Sequence, residues 1–366
     1  MADVDIKYPL RQIYFYLTNG CNLACKHCWI DPVHKTDNLQ VIPVELFKKV
    51  IEEAIPLGIV GVKLTGGEPL LHPHIDEILC IIKERGLRLT IETNGLLCTS
   101  KLVKKIKEAC ENPFVSVSLD GANAQTHEWI RGVKGSFKSA IDGIRMLVDA
   151  GIMPQIIMTL MRSNKEEIED VIGMAESLGA GSVKFNVMQP EGRARKLHKQ
   201  GEALDIRELI EIGMRVEGGS ITSKRLRLYF HHPLAFRPLG RMFGSDGDGC
   251  GTCMIKTIIG VLSDGSYSIC GIGETVRELV FGNACNDSLR DVWYNSPILN
   301  ELREGLPNRL EGVCARCLMR FRCLGACIAQ NYSLSRSLWS GFWYCESAFN
   351  EGLFPKSRLS NEARYV

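Results

Sequence analysis

The feature that most constrains this chain is a run of three cysteines within eight residues. Cys21, Cys25 and Cys28 are separated by three and then by two residues. That spacing is too tight for three disulfide halves, and it leaves a shared metal site without a fourth local cysteine. Thiolates select iron–sulfur clusters, zinc or copper(I). Zinc prefers four ligands and paired CxxC motifs, and no second pair follows nearby.

The CxxxCxxC spacing resembles the signature of the radical SAM superfamily, which lies on the loop after the first barrel strand. The resemblance implies that Cys21, Cys25 and Cys28 bind three irons of a 4Fe–4S cluster. The fourth iron is then open to the amino and carboxylate groups of S-adenosylmethionine (SAM). Taken alone, the triplet also fits a zinc knuckle or three buried thiols.

Composition narrows the class of protein. The chain has 366 residues, 45% of them hydrophobic, and a net charge of +2. These values are typical of a soluble globular protein with one large and one smaller domain, and they imply no strong field for nucleic acid or membranes. No apolar run is long enough to span a membrane, and the N-terminus has no signal-peptide core. We therefore expect a reducing cytoplasm, where the 15 cysteines act as metal ligands.

Strand and helix patterns alternate through the first half of the chain. Strands are predicted at 11–18, 60–64, 87–92, 114–118, 155–160 and 182–187. Helices are predicted between and after them at 43–55, 73–83, 100–109, 137–150, 165–178 and 205–215. Regular alternation predicts an α/β fold with a parallel sheet, here a partial (β/α)6 barrel. Chemistry is then expected after the carboxyl ends of the strands.

The loop after the second predicted strand reads Thr65-Gly66-Gly67-Glu68-Pro69. Two glycines allow a close backbone approach, and a carboxylate can meet a cationic amine. Alone, the motif is an ordinary turn. In this order along the chain it resembles the family's GGEP motif, which implies that Gly66, Gly67, Glu68 and Pro69 hold the SAM amino group.

Further SAM contacts follow from the same resemblance. It places Thr93, Asn94, Ser118 and Asp120 at the ribose and methionine end of SAM. It implies that Arg131 pairs with the SAM carboxylate; a solvated surface arginine is the alternative. His27, at a position usually aromatic, and Met188, within 186–193, are expected beside the adenine.

A second set of cysteines lies near the C-terminus, and two zinc ribbons are one reading of it. The spacing resembles the SPASM extension of radical SAM proteins. It implies a first auxiliary 4Fe–4S cluster on Cys250, Cys253, Cys270 and Cys327. It implies a second auxiliary cluster on Cys314, Cys317, Cys323 and Cys345. Of the rest, Cys80, Cys98 and Cys110 are predicted to be small core residues and Cys285 a structural thiol.

These motifs divide the chain into four segments. Residues 1–190 are predicted to form the radical SAM barrel, and 191–249 the sixth helix and a linker. Residues 250–350 form the SPASM module, and 351–366 a tail. Within the linker, His231 and His232 are interpreted as polar surface.

The resemblance implies reductive cleavage of SAM to a 5′-deoxyadenosyl radical, which abstracts a substrate hydrogen atom. Auxiliary clusters would carry an electron or bind the substrate. A ribosomally made peptide is the favoured substrate, for crosslinking, cleavage or epimerisation. Gly271 stands where sulfatase-maturing enzymes carry an aspartate, so formylglycine formation is disfavoured.

Partners follow from the same comparison. Few residues precede the first strand, so a leader peptide is expected to need a separate binding protein, or the substrate is a small molecule. A flavodoxin or ferredoxin is the expected reductant. The alternative from another class is a non-catalytic iron–sulfur or zinc electron-transfer module. The sequence does not name the substrate, the bond formed or the oligomeric state.

Overall fold

The computed structural model describes residues 8–34, 39–244 and 253–360. Strands within these ranges are β1 (Gln12–Tyr16), β2 (Gly20–Cys21), β3 (Val33–His34), β4 (Gly61–Thr65), β5 (Arg88–Thr93), β6 (Phe114–Ser118), β7 (Gln155–Leu160), β8 (Ser182–Val187), β9 (Arg227–Phe230), β10 (Ile258–Val261), β11 (Ser266–Ser268) and β12 (Val280–Asn283).

Helices follow most of the strands. They are α1 (Val44–Ala54), α2 (Ile75–Glu84), α3 (Ser100–Ala109), α4 (Ala124–Arg131), α5 (Ser136–Asp149), α6 (Ile168–Leu178), α7 (Ala194–Lys199), α8 (Ile206–Glu217), α9 (Leu239–Phe243), α10 (Leu289–Asn295), α11 (Pro297–Gly305), α12 (Gly312–Arg316), α13 (Arg320–Cys323), α14 (Ile328–Ser335) and α15 (Trp343–Asn350).

One sheet of ten strands organises the fold. Its order is β12-β11-β10-β1-β4-β5-β6-β7-β8-β9. The strands from β1 through β9 in that order pair in parallel, and β10 pairs in parallel with the other side of β1. The hairpin β11–β12 continues antiparallel from β10. The prediction of a mixed α/β fold with a parallel sheet is confirmed, and the C-terminal module extends the same sheet.

Helices bury one apolar face each against this sheet. On α1 the buried residues are Phe47, Val50, Ile51 and Ala54, and the Phe47 ring lies 4.3 Å from the ring of Phe15 on β1. Apolar residues three and four apart share one face of a helix, so this spacing orients α1. The same logic applies to α8, which begins with a capping box between Asp205 and Glu208. A cap of this kind stabilises a helix by about 1 kcal/mol.

The segment interpreted as a linker contributes a strand that the sequence analysis missed. β9 pairs with β8, with Tyr229 opposite Lys184. Four residues flanked by histidines and prolines give too short a pattern to separate from a loop. The interpretation of His232 as polar surface is wrong, because this residue is only 8% exposed.

A buried ion cluster fixes the turn after β9. The Glu217 carboxylate, at the end of α8, lies 2.8 Å from Arg237 Nη2 and 3.4 Å from His232 Nε2. The backbone carbonyl of Arg237 accepts a hydrogen bond from Arg358 Nη2 at 3.3 Å. The cluster therefore lies beside a contact between this segment and the C-terminal tail. Separately, none of the helices in the described parts of the chain is both long and apolar enough to cross a membrane.

Candidate active site

The N-terminal thiol group, Cys21, Cys25 and Cys28, lies on the loop that follows β1. Backbone hydrogen bonds attach this loop to the end of α4: Ala24 N donates to Arg131 O at 3.1 Å and Lys26 N to Ile130 O at 2.9 Å. All three thiols are free. They line a cavity of about 330 Å³, here called the main cavity, at the carboxyl ends of the parallel strands.

Two side chains aim N–H donors at these sulfurs. Arg131 Nη1 lies 3.5 Å from Cys25 Sγ, and Asn94 Nδ2 lies 3.9 Å from Cys21 Sγ. Burial raises the pKa of Cys21 to about 12. Burial also raises the pKa of Cys25, although nearby Arg131 opposes the rise. Thiolates would need the compensating charge of a metal, because a buried bare anion is costly.

The glycine pair after β4 lets two loops touch. Gly67 N donates to Thr18 O at 2.9 Å, and a Cβ at Gly67 would stand 1.9 Å from Gly20 O. Gly66 adopts φ of 127°, a conformation that only glycine takes readily. The glycines therefore permit the second loop to pack directly onto the start of the cysteine loop.

Both carboxylate oxygens of Glu68 accept hydrogen bonds from protein groups. Oε1 accepts from Thr93 Oγ1 at 2.7 Å and from Leu70 N at 3.1 Å, and Oε2 accepts from Asn94 N at 2.8 Å. The residue is 1% exposed, and burial raises its pKa to about 7 despite these bonds. These hydrogen bonds position the loop that carries Thr93 and Asn94. Direct contact between Glu68 and the SAM amine stays a prediction.

Asp120 holds two residues of the cavity wall from behind. Its Oδ2 lies 2.8 Å from Arg131 Nη2 and 2.9 Å from His27 Nε2, and its Oδ1 accepts from Thr159 N at 2.8 Å. Burial opposes ionisation, but the charge of Arg131 and the hydrogen bond from His27 outweigh it and hold the pKa of Asp120 well below its usual range. Arg131 is 7% exposed, so the surface-arginine alternative is wrong.

The structure brings most of the predicted site together. The wall of the main cavity includes Cys21, Cys25, His27, Cys28, Gly66, Gly67, Glu68, Thr93, Asn94, Ser118 and Arg131. Pro69, Asp120 and Met188 are not on that wall. Pro69 opens a 3₁₀ turn, and Met188 lines neighbouring cavities instead.

Residues from inside the strands also line the main cavity and were missed. Among them are Tyr16, Lys63, Glu92, Lys184 and His231. The available signal was a charge inside an otherwise apolar strand, as in the β4 sequence GVKLT and the β8 sequence SVKFNV. Charged residues are rarely buried without a partner or a function.

The middle thiol group comprises Cys253, Cys270 and Cys327. The second cavity, of about 140 Å³, is lined by Cys253 and Cys327 and shares His231 and Gln189 with the main cavity. Burial, with a contribution from Cys327, raises the pKa of Cys270 to about 12. Cys250, the fourth predicted ligand, lies outside the described residues.

The C-terminal thiol group comprises Cys314, Cys317, Cys323 and Cys345. All four line a third, smaller cavity, and Cys323 also lines the second. Backbone N–H groups aim at two of the sulfurs: Phe342 N lies 3.4 Å from Cys314 Sγ, and Met319 N lies 3.4 Å from Cys317 Sγ. The four residues predicted for one cluster are therefore neighbours.

The leftover cysteines differ from one another. Cys98 is buried, as predicted, but Cys80 is exposed, so the prediction of a core position for Cys80 is wrong. Helix α2 turns that position to solvent. Cys285 is exposed and belongs to none of the three thiol groups.

The donor chemistry of the three groups fits iron–sulfur clusters. Each group presents thiols alone, all fourteen described cysteines are free, and N–H donors aim at sulfurs of the N-terminal and C-terminal groups. Hydrogen bonds to sulfur are a principal means by which proteins tune such clusters. Across residues 8–34, 39–244 and 253–360, no set of three Cys, His, Asp or Glu side chains is placed to hold a single metal ion.

Comparison with known proteins agrees with this geometry. The sequence model for the radical SAM superfamily matches residues 15–175, and the SPASM model, described as an iron–sulfur cluster-binding domain, matches residues 250–318. The chain belongs to the radical SAM superfamily. As such it is an enzyme, and its two domains imply SAM and iron–sulfur clusters as cofactors.

The proteins to which this radical SAM enzyme is similar are named for different activities. It is 29% identical to the AdoMet-dependent heme synthase of Methanosarcina barkeri, over 92% of this chain and 96% of the relative. It is 27% identical to the subtilosin biosynthesis protein AlbA of Bacillus subtilis, over 82% of this chain and 63% of the relative. It is 26% identical to the PqqA peptide cyclase of Methylocella silvestris, over 91% and 86%.

The fold is shared with solved structures. Streptococcus suis SuiB bound to SAM superposes with a TM-score of 0.67 at 19% identity, over 91% of this chain and 76% of that one. At this identity the likeness establishes the fold only.

Proposed function

We propose that the N-terminal thiol group holds a 4Fe–4S cluster with one iron open to SAM, and that the enzyme modifies a ribosomally made peptide. The observation that carries the first part is the position of three thiols, and no fourth among the described residues, on the wall of the main cavity. When bound, cluster and SAM together supply a 5′-deoxyadenosyl radical that takes a hydrogen atom from an unactivated C–H bond.

Protein groups around the thiols have separate tasks in this proposal. Arg131 directs Nη1 at Cys25 Sγ, 3.5 Å away, so its charge would stabilise the reduced, more negative state of a cluster. Asp120 fixes the orientation of Arg131 and of His27. Glu68 fixes the turn that presents Thr93 and Asn94.

SAM binding would use groups that face the main cavity. Candidates are the backbone at Gly66 and Gly67 and the side chains of His27, Thr93, Asn94, Ser118 and Arg131. Asn186 Oδ1 on the same wall is buried without a hydrogen-bond donor among the described residues. An unsatisfied buried acceptor is costly unless a ligand supplies the donor. This orphaned oxygen therefore supports a nucleoside or substrate in the cavity.

The other two thiol groups are proposed as auxiliary 4Fe–4S sites. Cys253, Cys270 and Cys327, with Cys250 as the fourth ligand, would hold the first, and the C-terminal thiol group the second. Shared wall residues join the three cavities in series, since His231 lines the first two and Cys323 the last two. That arrangement suits electron transfer between a substrate and a flavodoxin- or ferredoxin-type reductant.

Relatives favour two substrate classes. Those named for subtilosin biosynthesis and for a PqqA peptide cyclase support a peptide. A second candidate is a tetrapyrrole, because the heme synthase relative matches this chain over more of both lengths than the subtilosin protein does.

The test is anaerobic reconstitution with iron and sulfide, followed by assay with SAM and dithionite. We expect brown protein with about twelve irons per chain if all three 4Fe–4S clusters form, and we expect 5′-deoxyadenosine. Colourless protein with stoichiometric zinc and no 5′-deoxyadenosine would overturn the proposal in favour of a zinc scaffold.

Substrate class is tested separately with the reconstituted enzyme. A short peptide encoded beside the gene and a carboxylate-bearing porphyrin are each incubated with SAM, and products are read by mass spectrometry. A mass change of the peptide alone supports the peptide proposal. A mass change of the porphyrin alone would contradict the peptide proposal and support a tetrapyrrole substrate.

A further inference from the structure

Three charged side chains that belong to strands of the parallel sheet line the main cavity. Lys63 belongs to β4, Glu92 to β5 and Lys184 to β8, and all three line the cavity. Strands of a parallel sheet covered on both faces are normally apolar. Charges placed there are costly unless they are paired or used.

Lys63 and Glu92 form an ion pair with each other. Lys63 Nζ lies 2.5 Å from Glu92 Oε1, and Glu92 Oε2 accepts from Thr65 Oγ1 at 3.3 Å. Lys63 Nζ also lies 4.7 Å above the Tyr14 ring. The ammonium of Lys63 and the carboxylate of Glu92 are therefore satisfied without a ligand.

Lys184 is different. In the described portions of the chain, its ammonium has neither a hydrogen-bond acceptor nor a carboxylate within ion-pair distance, although Lys63 and Arg237 are close enough to act on its charge. Burial, followed by those two cations, lowers the pKa of Lys184, while Glu92 opposes them. Glu92 thus acts on the charge of both lysines, and it forms its ion pair with Lys63.

The two arginines on the cavity wall each have a carboxylate within ion-pair distance, unlike Lys184. Arg131 Nη2 lies 2.8 Å from Asp120 Oδ2, and Arg193 Nε lies 3.3 Å from Asp31 Oδ1, although Nε and Nη2 of Arg193 form no hydrogen bond with the described residues. An anion that enters the cavity beyond the thiols would therefore meet Lys184 as its counterion.

His231 stands beside this lysine. Its backbone N donates to Phe185 O at 2.8 Å, which places it next to the strand that carries Lys184. Although the His231 side chain is open to the cavity, desolvation there and the nearby Lys184 charge lower the pKa of its ring, which favours a neutral imidazole that adds no second charge. A neutral imidazole can still donate one hydrogen bond to an oxygen.

We propose that Lys184 binds a carboxylate of the substrate, with His231 beside it, in a subsite separate from the SAM contacts. The subsite rests on the proposed function, since it orients a substrate between two cofactor sites. His231 also lines the second cavity, so a substrate held here lies between the N-terminal and middle thiol groups.

Calorimetric titration of the anaerobic, SAM-loaded holoenzyme tests the subsite. Two acids serve as probes, N-acetylglycine for a chain-terminal carboxylate and propionate for a side-chain carboxylate. Their neutral amides, N-acetylglycinamide and propionamide, are the references. We expect at least one acid to bind about tenfold more tightly than its amide. The acid that binds more tightly identifies whether the substrate's carboxylate is a chain terminus or a side chain. In Lys184→Met that preference should vanish.

Two further variants control for charge and folding. Lys138→Met removes a lysine that is 84% exposed and should change nothing. Glu92→Gln frees Lys63 and should strengthen binding of the acids. Equal affinity of acid and amide in the wild type, or a preference that survives Lys184→Met, would overturn the proposal.

A last experiment distinguishes a substrate carboxylate from the carboxylate of SAM, which could also bind Lys184. The dissociation constant of SAM and the substrate-free rate of 5′-deoxyadenosine formation should be the same in Lys184→Met and wild type. A weaker SAM complex in the variant would assign Lys184 to SAM and refute the subsite. Absence of 5′-deoxyadenosine from both proteins would instead refute the proposed function and leave the binding result standing.

Discussion

The N-terminal and C-terminal thiol groups show what the number and surroundings of cysteines decide. The first has three thiols on the wall of a cavity of about 330 Å³ that also carries ionised side chains. The second has four thiols around a smaller cavity whose other walls are mostly apolar, namely Pro233, Ala235, Leu310 and Phe342, with Arg320 as the one charged residue among the described lining. Three thiols beside polar space leave room for a ligand at the metal. Four thiols within mostly apolar walls suit a closed site that only exchanges electrons.

The two thiol groups also differ in the kind of hydrogen-bond donor that contacts their sulfurs. In the N-terminal group the side chains of Arg131 and Asn94 donate to sulfur, together with the backbone N–H of Leu23, which lies 3.4 Å from Cys21 Sγ. In the C-terminal group two sulfurs receive backbone N–H groups, from Phe342 and Met319. Side-chain donors can be removed by single substitutions while the fold is kept, whereas backbone donors cannot. The first group is therefore where point substitutions should separate chemistry from stability.

The largest effect is expected from Cys25→Ala. Loss of one of only three ligands should remove about four irons per chain and lower 5′-deoxyadenosine formation at least about hundredfold. Iron analysis and chromatography of the nucleoside measure both. The matched control is Cys80→Ala, an exposed cysteine outside the thiol groups. Undiminished 5′-deoxyadenosine in Cys25→Ala would refute the assignment of this group.

Cys314→Ala should separate the two sites. It should also remove about four irons, yet the enzyme should retain SAM cleavage within about tenfold of wild type when dithionite supplies the electron. Turnover of the true substrate should fall further than SAM cleavage. If both variants abolish 5′-deoxyadenosine equally, the contrast between a SAM-binding and an auxiliary site fails.

Sequence patterns predicted these groups better than the connections between them. All six barrel strands and the cysteine sets 21–28 and 314–345 are local in the chain. Apolar patterns predicted the strands, and the resemblance of the cysteine spacing to the radical SAM and SPASM motifs predicted the two sets. The pairing of β10 with β1 joins residues 246 positions apart in the chain, and no local periodicity encodes it. The partner of Arg131 was missed for the same reason: Asp120 was predicted to face SAM and instead lies behind the arginine.

Asp120→Asn should sharpen the electrostatic side of the comparison. It leaves Arg131 buried without its counterion, and breaking a buried ion pair in this way costs about 3–5 kcal/mol. We expect lower free energy of unfolding and weaker SAM binding, measured by urea denaturation and calorimetry. Asp142→Asn, at an exposed ion pair, is the control. Unchanged SAM affinity would mean that Arg131 needs no help to hold its position.

Glu217→Gln, in the buried ion cluster after β9, should lower stability without lowering SAM cleavage. Burial by itself raises the pKa of Glu217, but hydrogen bonds from His232 and Arg237 lower it to about 2. A carboxylate with a depressed pKa contributes stability that is present above its unfolded value of about 4.3 and is lost as pH falls toward 2. The shift corresponds to about 3 kcal/mol.

The variant should therefore be less stable than wild type at pH 7 and converge with it between about pH 4 and pH 2, because the contribution disappears in that window. Urea midpoints across this range measure the difference, with Glu169→Gln, 71% exposed, as the control. SAM cleavage per folded molecule should stay at the wild-type level. A stability difference that persists below pH 2 would show that the substitution acts through packing and that the charge of Glu217 is not the source of the stabilisation.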